Sequence, residues 1–148
     1  MNLRCFGWIC SAALGTILWA QDAEVEQIKK TVVDAYVNGT QTQWNTDAVA
    51  KGFHPDFMMF MPQKDFTLRR FTVQEWVASL HKRKRDNPEG PKFKTTHRFL
   101  RVEVAGNAAV AVLELYRDEV LTFTDFLSLY KLGGEWKIVS KIYHYHQP

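Results

Sequence analysis

The segment FTDFLSLYKLGGEWKIVSKIYHYH, residues 123–146, contains two runs of β-branched and aromatic residues separated by a pair of glycines. The glycines suit the positive φ angles of a two-residue hairpin turn, so the segment predicts two paired antiparallel strands. Such a turn pairs Leu132 with Glu135 and, if pairing continues without interruption, places Asp125 opposite Ile142. This hairpin therefore predicts the register at the centre of a β-sheet.

Asp125 is the one charged residue in an otherwise apolar row of the first strand. Side chains alternate between the two faces of a strand, so Asp125 shares its face with Leu121, Phe123, Leu127 and Leu129. Burying an unpaired carboxylate costs several kcal/mol or forces the group to take a proton. The position therefore predicts either a partner for the carboxylate or the wall of a cavity.

Three residues are candidate partners for Asp125. In the predicted register His144 lies on the same face and within diagonal reach. Lys141 lies on the opposite face and reaches Asp125 only if a bulge shifts the register by one residue. Arg98, on an earlier strand, turns inward with Asp125 if Ala109 and the residues alternating with it face the core.

The rest of the chain predicts strands at residues 93–104, 108–116, 120–132 and 135–146, joined by short turns. Before them, apolar spacing predicts a helix over 22–38 that is capped by Asp22 and ended by Gly39, a short helix over 46–51 and a short strand over 57–61. Thr72 and Glu75 form a capping box that starts a further helix and turns Trp76 inward. Helices followed by an antiparallel sheet predict an α+β domain with the helices on one face.

The first twenty residues predict a secretory signal peptide. One cation, Arg4, precedes an apolar run of 16 residues from Cys5 to Ala20, shorter than the roughly 20 residues of a spanning helix. We expect cleavage near Ala20, leaving one exported domain, residues 21–148, that is periplasmic or secreted and does not stay in a membrane; the alternative is an uncleaved anchor. Both cysteines, Cys5 and Cys10, lie in the removed segment, so thiol catalysis and thiolate metal sites are excluded.

Composition limits the partners of this domain. A chain of 148 residues that is 46% hydrophobic and 14% aromatic can bury a core of its own. The formal net charge of +3 is small, and the basic run HKRKR at 81–85 falls at a helix end without interleaved aromatic residues, so no nucleic acid partner is predicted. No carboxylate or cysteine is spaced with the histidines of HYH at 144–146, so neither a metal nor a cofactor is predicted.

These features together resemble the nuclear transport factor 2-like superfamily, and within it the SnoaL-like, lumazine-binding branch. The resemblance covers roughly residues 23–145 and rests on FHPDFMMF, VQEW, VEVAGNAAVAVLEL and the segment 123–146. It implies a cone, in which a strongly curved antiparallel sheet wraps around the N-terminal helices and encloses a cavity, often in a homodimer formed through the outer sheet face. It implies no single activity, because members include isomerases, dehydratases, cyclases, ligand binders and interaction modules.

Asp125 and His144 are the candidate catalytic residues of this cone. Apolar walls raise the pKa of a carboxyl group, which suits Asp125 to be a general base with His144 or a nearby tyrosine as the acid. Alternatively, Asp125 only fixes the sheet through local hydrogen bonds. The candidate ligand-binding residues offer a flat ring or a cation: Trp76, Trp44, Tyr36, Arg98 and Lys141. The aromatic ones among them are alternatively plain core.

Three functions follow from these candidates. The first is an exported domain that binds a small apolar or aromatic molecule in an apolar cavity with one acidic residue at its wall. The second is an isomerase- or dehydratase-type enzyme with Asp125 as general base, which requires that Asp125 have a polar partner and access to the cavity. The third is a dimerising interaction module, in which Phe57, Met59 and Trp76 fill the cavity.

Overall fold

The computed structural model describes residues 12–147. Most of the predicted signal peptide, residues 1–11, lies outside the described residues, so export and cleavage stay predictions. Within the described part, no helix is long and apolar enough to cross a membrane. The elements in chain order are α1 Ala12–Thr31, a π-helical segment Val32–Thr42, α2 Thr46–Gly52, β1 Phe53–Pro62, β2 Leu68–Thr72, α3 Val73–Asp86, β3 Thr95–Ala105, β4 Ala108–Arg117, β5 Val120–Leu132 and β6 Glu135–Tyr145.

The strands form one curved sheet in the order β2-β1-β6-β5-β4-β3. The predicted α+β cone is confirmed, but the sheet is mixed, because β1 joins the antiparallel meander by running parallel to β6. The sequence does not predict β2. This strand is short, and its residues, LRRFT, lack the apolar alternation of a half-buried strand because most of them are exposed. The helices cover the concave face of this sheet.

The core lies between that concave face and the helices. Along β4 the inward positions Ala109, Ala111, Leu113 and Leu115 are all buried, as the alternation predicts. Facing helices supply Ile28, Val32, Tyr36 and Leu80, all at most 1% exposed. Burying apolar surface contributes roughly 25 cal/mol of free energy for each Å², so this core is the main source of stability.

The first helix departs from its predicted bounds. It continues through Asp22 and passes at Val32 into the π-helical segment, so Asp22 does not cap it and Gly39 does not end it. Gly39 and Gly52 instead permit close packing between this segment and α2: a Cβ atom on Gly52 would lie 2.2 Å from the Cβ of Ala35. The capping box of α3 is confirmed, with Thr72 and Glu75 bonding each other's backbone N–H groups.

A β-bulge in β6 changes the predicted register of the hairpin. The turn itself is as predicted, with φ angles of 59° and 85° at its glycines and Leu132 opposite Glu135. Val139 is then an extra residue without a partner on β5, and beyond it every pair is shifted by one position. Asp125 consequently lies opposite Tyr143, and the predicted pairing with Ile142 is wrong.

A second bulge, in β3, moves Arg98 to the outer face. The turn at Gly106 pairs Ala105 with Ala108, but the register shifts between Phe99 and Arg101, so Arg98 lies opposite Glu114 rather than Leu115. Its guanidinium forms an ion pair of 2.7 Å with Glu114 at the surface. The prediction that Arg98 faces inward with Asp125 is therefore wrong, although the inward face of β4 on which it depended is confirmed.

Candidate functional site

The bulge in β6 brings Lys141 to Asp125. The side chains of both residues point into the core, where Asp125 is 0% and Lys141 is 5% exposed. The ammonium Nζ of Lys141 lies 2.7 Å from Oδ1 of Asp125. The carboxylate in the apolar row thus has its partner through the shifted register, which the sequence allows only with a bulge.

Tyr36, from the π-helical segment, completes a triad with these two residues. Its hydroxyl donates a hydrogen bond of 2.6 Å to Oδ2 of Asp125, and Lys141 Nζ donates one of 2.8 Å to the Tyr36 hydroxyl oxygen. Oδ1 of Asp125 contacts the ammonium at ion-pair distance but outside hydrogen-bond angles, so it accepts no aligned hydrogen bond from the described residues. In the Asp125–Lys141–Tyr36 triad, each residue therefore contacts the other two.

Aromatic rings surround the Lys141 ammonium where water would otherwise lie. Nζ is 4.7 Å from the ring centroid of Tyr143, 4.8 Å from that of Tyr36, and 5.8 Å from those of Trp76 and Phe123. Cation–π attraction operates over about 6 Å and strengthens when the cation is desolvated. These rings therefore stabilise the charged form of Lys141 within the core.

Burial shifts the pKa values of Lys141 and Tyr36, the two proton donors of the triad, in opposite directions. It lowers the pKa of Lys141, an effect that Asp125 opposes and Arg117 reinforces. It raises the pKa of Tyr36 well above 10.0, and the charge of Asp125 raises it further. Tyr36 therefore keeps its proton and remains the hydrogen-bond donor to Asp125 at neutral pH.

The raised pKa of Tyr36 predicts a loss of stability in alkali. Above pH 10.0 an unfolded tyrosine loses its proton while folded Tyr36 retains it, so the folded state binds more protons. The free energy of unfolding then falls as pH rises, by up to about 1.4 kcal/mol per pH unit. We expect Tyr36→Phe to reduce this slope, measured by urea unfolding at a series of pH values above 10.0. An unchanged slope would contradict the buried tyrosine as its source.

The main cavity, of about 360 Å³, lies against the triad. Tyr36 and Lys141 form part of its wall, whereas Asp125 lies behind them and has no exposed surface. The cavity is therefore not open to the carboxylate in the way the sequence predicts. The rest of its wall is mostly apolar and aromatic, with two arginines and two neutral polar residues: Met59, Met61, Phe71, Trp76, Phe123, Tyr143, Arg83, Arg117, Gln41 and Ser79.

The remaining predicted site residues divide between the cavities and the outer surface. Trp76 and Tyr36 line the main cavity, and Trp44 lines a second cavity of about 260 Å³ that shares Arg83 and Arg117 with the first. His144 lies opposite Thr124 and is exposed, with its ring 4.6 Å from that of His146. The predicted proximity of His144 to Asp125 is wrong, because the bulge at Val139 turns His144 outward.

Two arginines of the main cavity, Arg83 and Arg117, are not among the residues that the sequence predicts for a site. Arg117 continues the inward alternation of β4 two positions after Leu115, so the same pattern that places Leu115 in the core would have found it. Arg83 follows Trp76 and Leu80 at i+7 and i+3 on α3 and so lines the main cavity, although it is exposed like the rest of the predicted solvated helix end. The periodicity of the strand could therefore have identified Arg117, and that of the helix Arg83, as lining the cavity.

A third depression, of about 460 Å³, lies outside the cone. It is bounded by α1, the π-helical segment, α2 and the β5–β6 turn, and its lining side chains are mostly polar ones such as Gln27, Asn38 and Lys137. It is larger than the main cavity, but its lining includes neither the triad nor the rings around Lys141, and Trp136 is its one aromatic lining residue among those described. Within the described residues, no group of three His, Cys, Asp or Glu side chains is placed to hold a metal ion.

A family model described as "Putative lumazine-binding" matches residues 23–144. No curated protein matches the chain. Among solved structures, an NTF2-like protein of unknown function from Shewanella baltica OS155 is 24% identical, with a TM-score of 0.67 over 86% of this chain and 97% of that one.

Two further structures have the same fold. An NTF2-like protein of unknown function from Methylobacillus flagellatus KT is 24% identical, with a TM-score of 0.64 over 84% of this chain and 94% of that one. Another from Silicibacter pomeroyi DSS-3 is 17% identical, with a TM-score of 0.65 over 84% of this chain and 98% of that one. At these identities the likeness establishes the architecture and leaves the chemistry to the cavity.

Proposed function

The chain belongs to the family described as "Putative lumazine-binding", within the nuclear transport factor 2-like superfamily, and on that premise we propose that it binds a small, flat, partly apolar molecule in the main cavity. The observation that carries the proposal is the wall of this cavity, which offers faces or edges of Tyr36, Trp76, Phe123 and Tyr143 around about 360 Å³. Small-molecule sites are commonly concave, lined by aromatic side chains and about 300–1,000 Å³ in volume. The cavity meets these conditions in size and lining.

The enzyme alternative has weaker support. A general base must come within hydrogen-bond reach of the proton that it removes. Asp125 is 0% exposed, and its two oxygens already face the hydroxyl of Tyr36 and the ammonium of Lys141. Asp125 thus has the polar partners that the enzyme hypothesis requires, but it has no access to the cavity. The triad is therefore better suited to keep the cavity wall in shape.

The interaction-module alternative requires a filled cavity. Phe57 is fully buried in the core, but Met59 and Trp76 line an open volume rather than closing it. A cavity of this size beside desolvated rings sacrifices packing contacts that a purely structural domain would be expected to keep. This favours a binding role.

Calorimetric titration with flat bicyclic probes tests the proposal. Lumazine, 2-naphthoate and 2-naphthamide are titrated into the full domain, and at least one is expected to bind. Met61→Trp places a larger side chain in the cavity wall and should weaken binding about tenfold or more, whereas Phe60→Trp, on the opposite face of the same strand, should not. Absence of binding by all three probes, or equal binding to the two variants, would overturn the proposal.

We further propose that the domain is exported and forms a homodimer through its outer sheet face. The apolar leader at residues 1–20 supports export, which fractionation of cells expressing the full chain would test.

The proposed dimer depends on apolar residues exposed on the outer sheet face. Phe126 and Ile142 are paired neighbours on that face and are 40% and 54% exposed. Light scattering should give twice the mass of the chain, and Phe126→Lys should reduce it to the mass of one chain.

A further inference from the structure

We propose, resting on the binding function above, that the ligand is a planar aromatic carboxylate whose anionic group binds between Arg83 and Arg117. Both residues line the main cavity and also the second cavity beside it. They therefore lie where the two cavities meet. An anion bound there would leave the aromatic part of the ligand among the rings of the main cavity.

Among the described residues, all the charged side chains that line the two cavities are cations. The side chains lining the main cavity include Arg83, Arg117 and Lys141 but no Asp or Glu, and those lining the second cavity add Lys92 and again no acid. Asp125 neutralises Lys141 from behind the wall. The net charge that a ligand meets in the main cavity is therefore that of the two arginines, and Lys92 adds to it in the second cavity.

These arginine charges have no acidic partner within the described residues. The arginines that form ion pairs there are Arg69, Arg98 and Arg101, all outside the cavity. Arg83 is exposed, but the desolvation that remains lowers its pKa, and the charge of Arg117 lowers it further, which is the sign of two like charges close together. An anion between them would remove this repulsion and replace lost hydration.

Arg117 is held in position by aromatic rings. Its guanidinium carbon lies 5.2 Å from the ring centroid of Phe123 and 5.6 Å from that of Phe93. Cation–π contacts with two rings restrict where the guanidinium can lie. A guanidinium presents its N–H donors as a planar fork that matches the two oxygens of a carboxylate. This geometry favours a carboxylate over a neutral polar group.

The ring part of the ligand has its own support. Phe123 contacts Arg117 and also lines the main cavity with Trp76, so the proposed anion site and the aromatic walls are contiguous. A small molecule with a carboxylate attached to a flat ring can therefore bind the arginines and contact the aromatic walls at the same time. The pair 2-naphthoate and 2-naphthamide has nearly the same shape and differs in charge, which isolates the contribution of the anion.

Calorimetry with this pair tests the inference. In the unmodified domain 2-naphthoate is expected to bind about tenfold or more tightly than 2-naphthamide, the effect of a charge-assisted hydrogen bond. Arg83→Met and Arg117→Met should each reduce this ratio, and the double variant should bring it near one. Arg98→Met, which removes an arginine from the outer face, should leave the ratio unchanged. Thermal unfolding of each variant establishes that it is folded.

The outcomes separate this inference from the function on which it rests. Equal binding of both probes, blocked by Met61→Trp, keeps the binding function and overturns the carboxylate. A preference for 2-naphthoate that survives the double variant overturns the assignment to Arg83 and Arg117. Failure of lumazine and of both naphthalene probes to bind overturns the binding function and the inference together.

Discussion

Lys141→Met is expected to lower the free energy of unfolding by about 3–5 kcal/mol, because it leaves the Asp125 carboxylate buried without its cation. The expectation depends on burial: Asp125 is 0% exposed and 2.7 Å from the ammonium that would be lost. Methionine keeps most of the apolar volume of lysine, so the loss reports the charge rather than the packing. Urea unfolding monitored by tryptophan fluorescence measures it.

Lys131→Met is the matched control for this variant. Lys131 forms an ion pair of 2.6 Å with Glu24, but both side chains are 28% exposed, so water compensates for the missing partner. Its removal should cost no more than about 1 kcal/mol. The double variant Asp125→Asn/Lys141→Met should recover most of the lost stability, because the amide oxygen still accepts from Tyr36 and no charge remains buried. Equal losses for Lys141→Met and Lys131→Met would contradict this account.

Trp76→Ala is expected to cost about 3–5 kcal/mol, the usual range for removing a large buried aromatic side chain. Trp76 is 5% exposed and lies at the centre of a cluster of rings, with centroid distances of 5.8 Å to Tyr36 and Phe53, 6.0 Å to Phe57 and 6.1 Å to Phe71. Truncation removes these contacts and joins the vacated space to the main cavity. Urea unfolding at neutral pH measures the change.

Arg85→Ala provides the comparison on the same helix. Arg85 is exposed near the end of α3, and alanine is at least as good a helix former, so its replacement should change stability by no more than about 0.5 kcal/mol. A loss of less than about 1 kcal/mol for Trp76→Ala would mean that the rings repack around the gap. The proposed cavity wall would then be less rigid than its geometry indicates.

The sequence predicts the fold through features that act locally. The Thr72–Glu75 capping box begins α3, and the glycine pair sets the β5–β6 turn, because each depends on residues a few positions apart. The position of β1 is different, since its pairing with β6 depends on contacts between residues far apart in the chain. The π-helical segment likewise has no counterpart in a 3.6-residue apolar pattern, which predicts an ordinary helix up to Gly39.

The candidate site depends on single-residue shifts that sequence alternation does not contain. Asp125 is identified as the exceptional residue, but the bulge at Val139 replaces His144 with Lys141 as its partner. The bulge at Leu100 similarly sends Arg98 outward. A bulged residue looks like any other β-branched or apolar residue in a strand, because packing on both faces of the sheet determines where the extra residue is accommodated.

The strand order has a consequence for how the chain acquires its structure. β6 is the last strand along the chain, yet it lies inside the sheet between β1 and β5, and it supplies Lys141 to the triad. Met59 and Lys141 become neighbours only when segments from opposite halves of the chain meet, a non-local pairing of the kind that slows folding. Until β6 arrives, β1 and β5 both present unpaired edges. The pairing of the sheet therefore cannot be completed before residues 135–145 have been synthesised, so folding of the cone is a late event in the life of the chain.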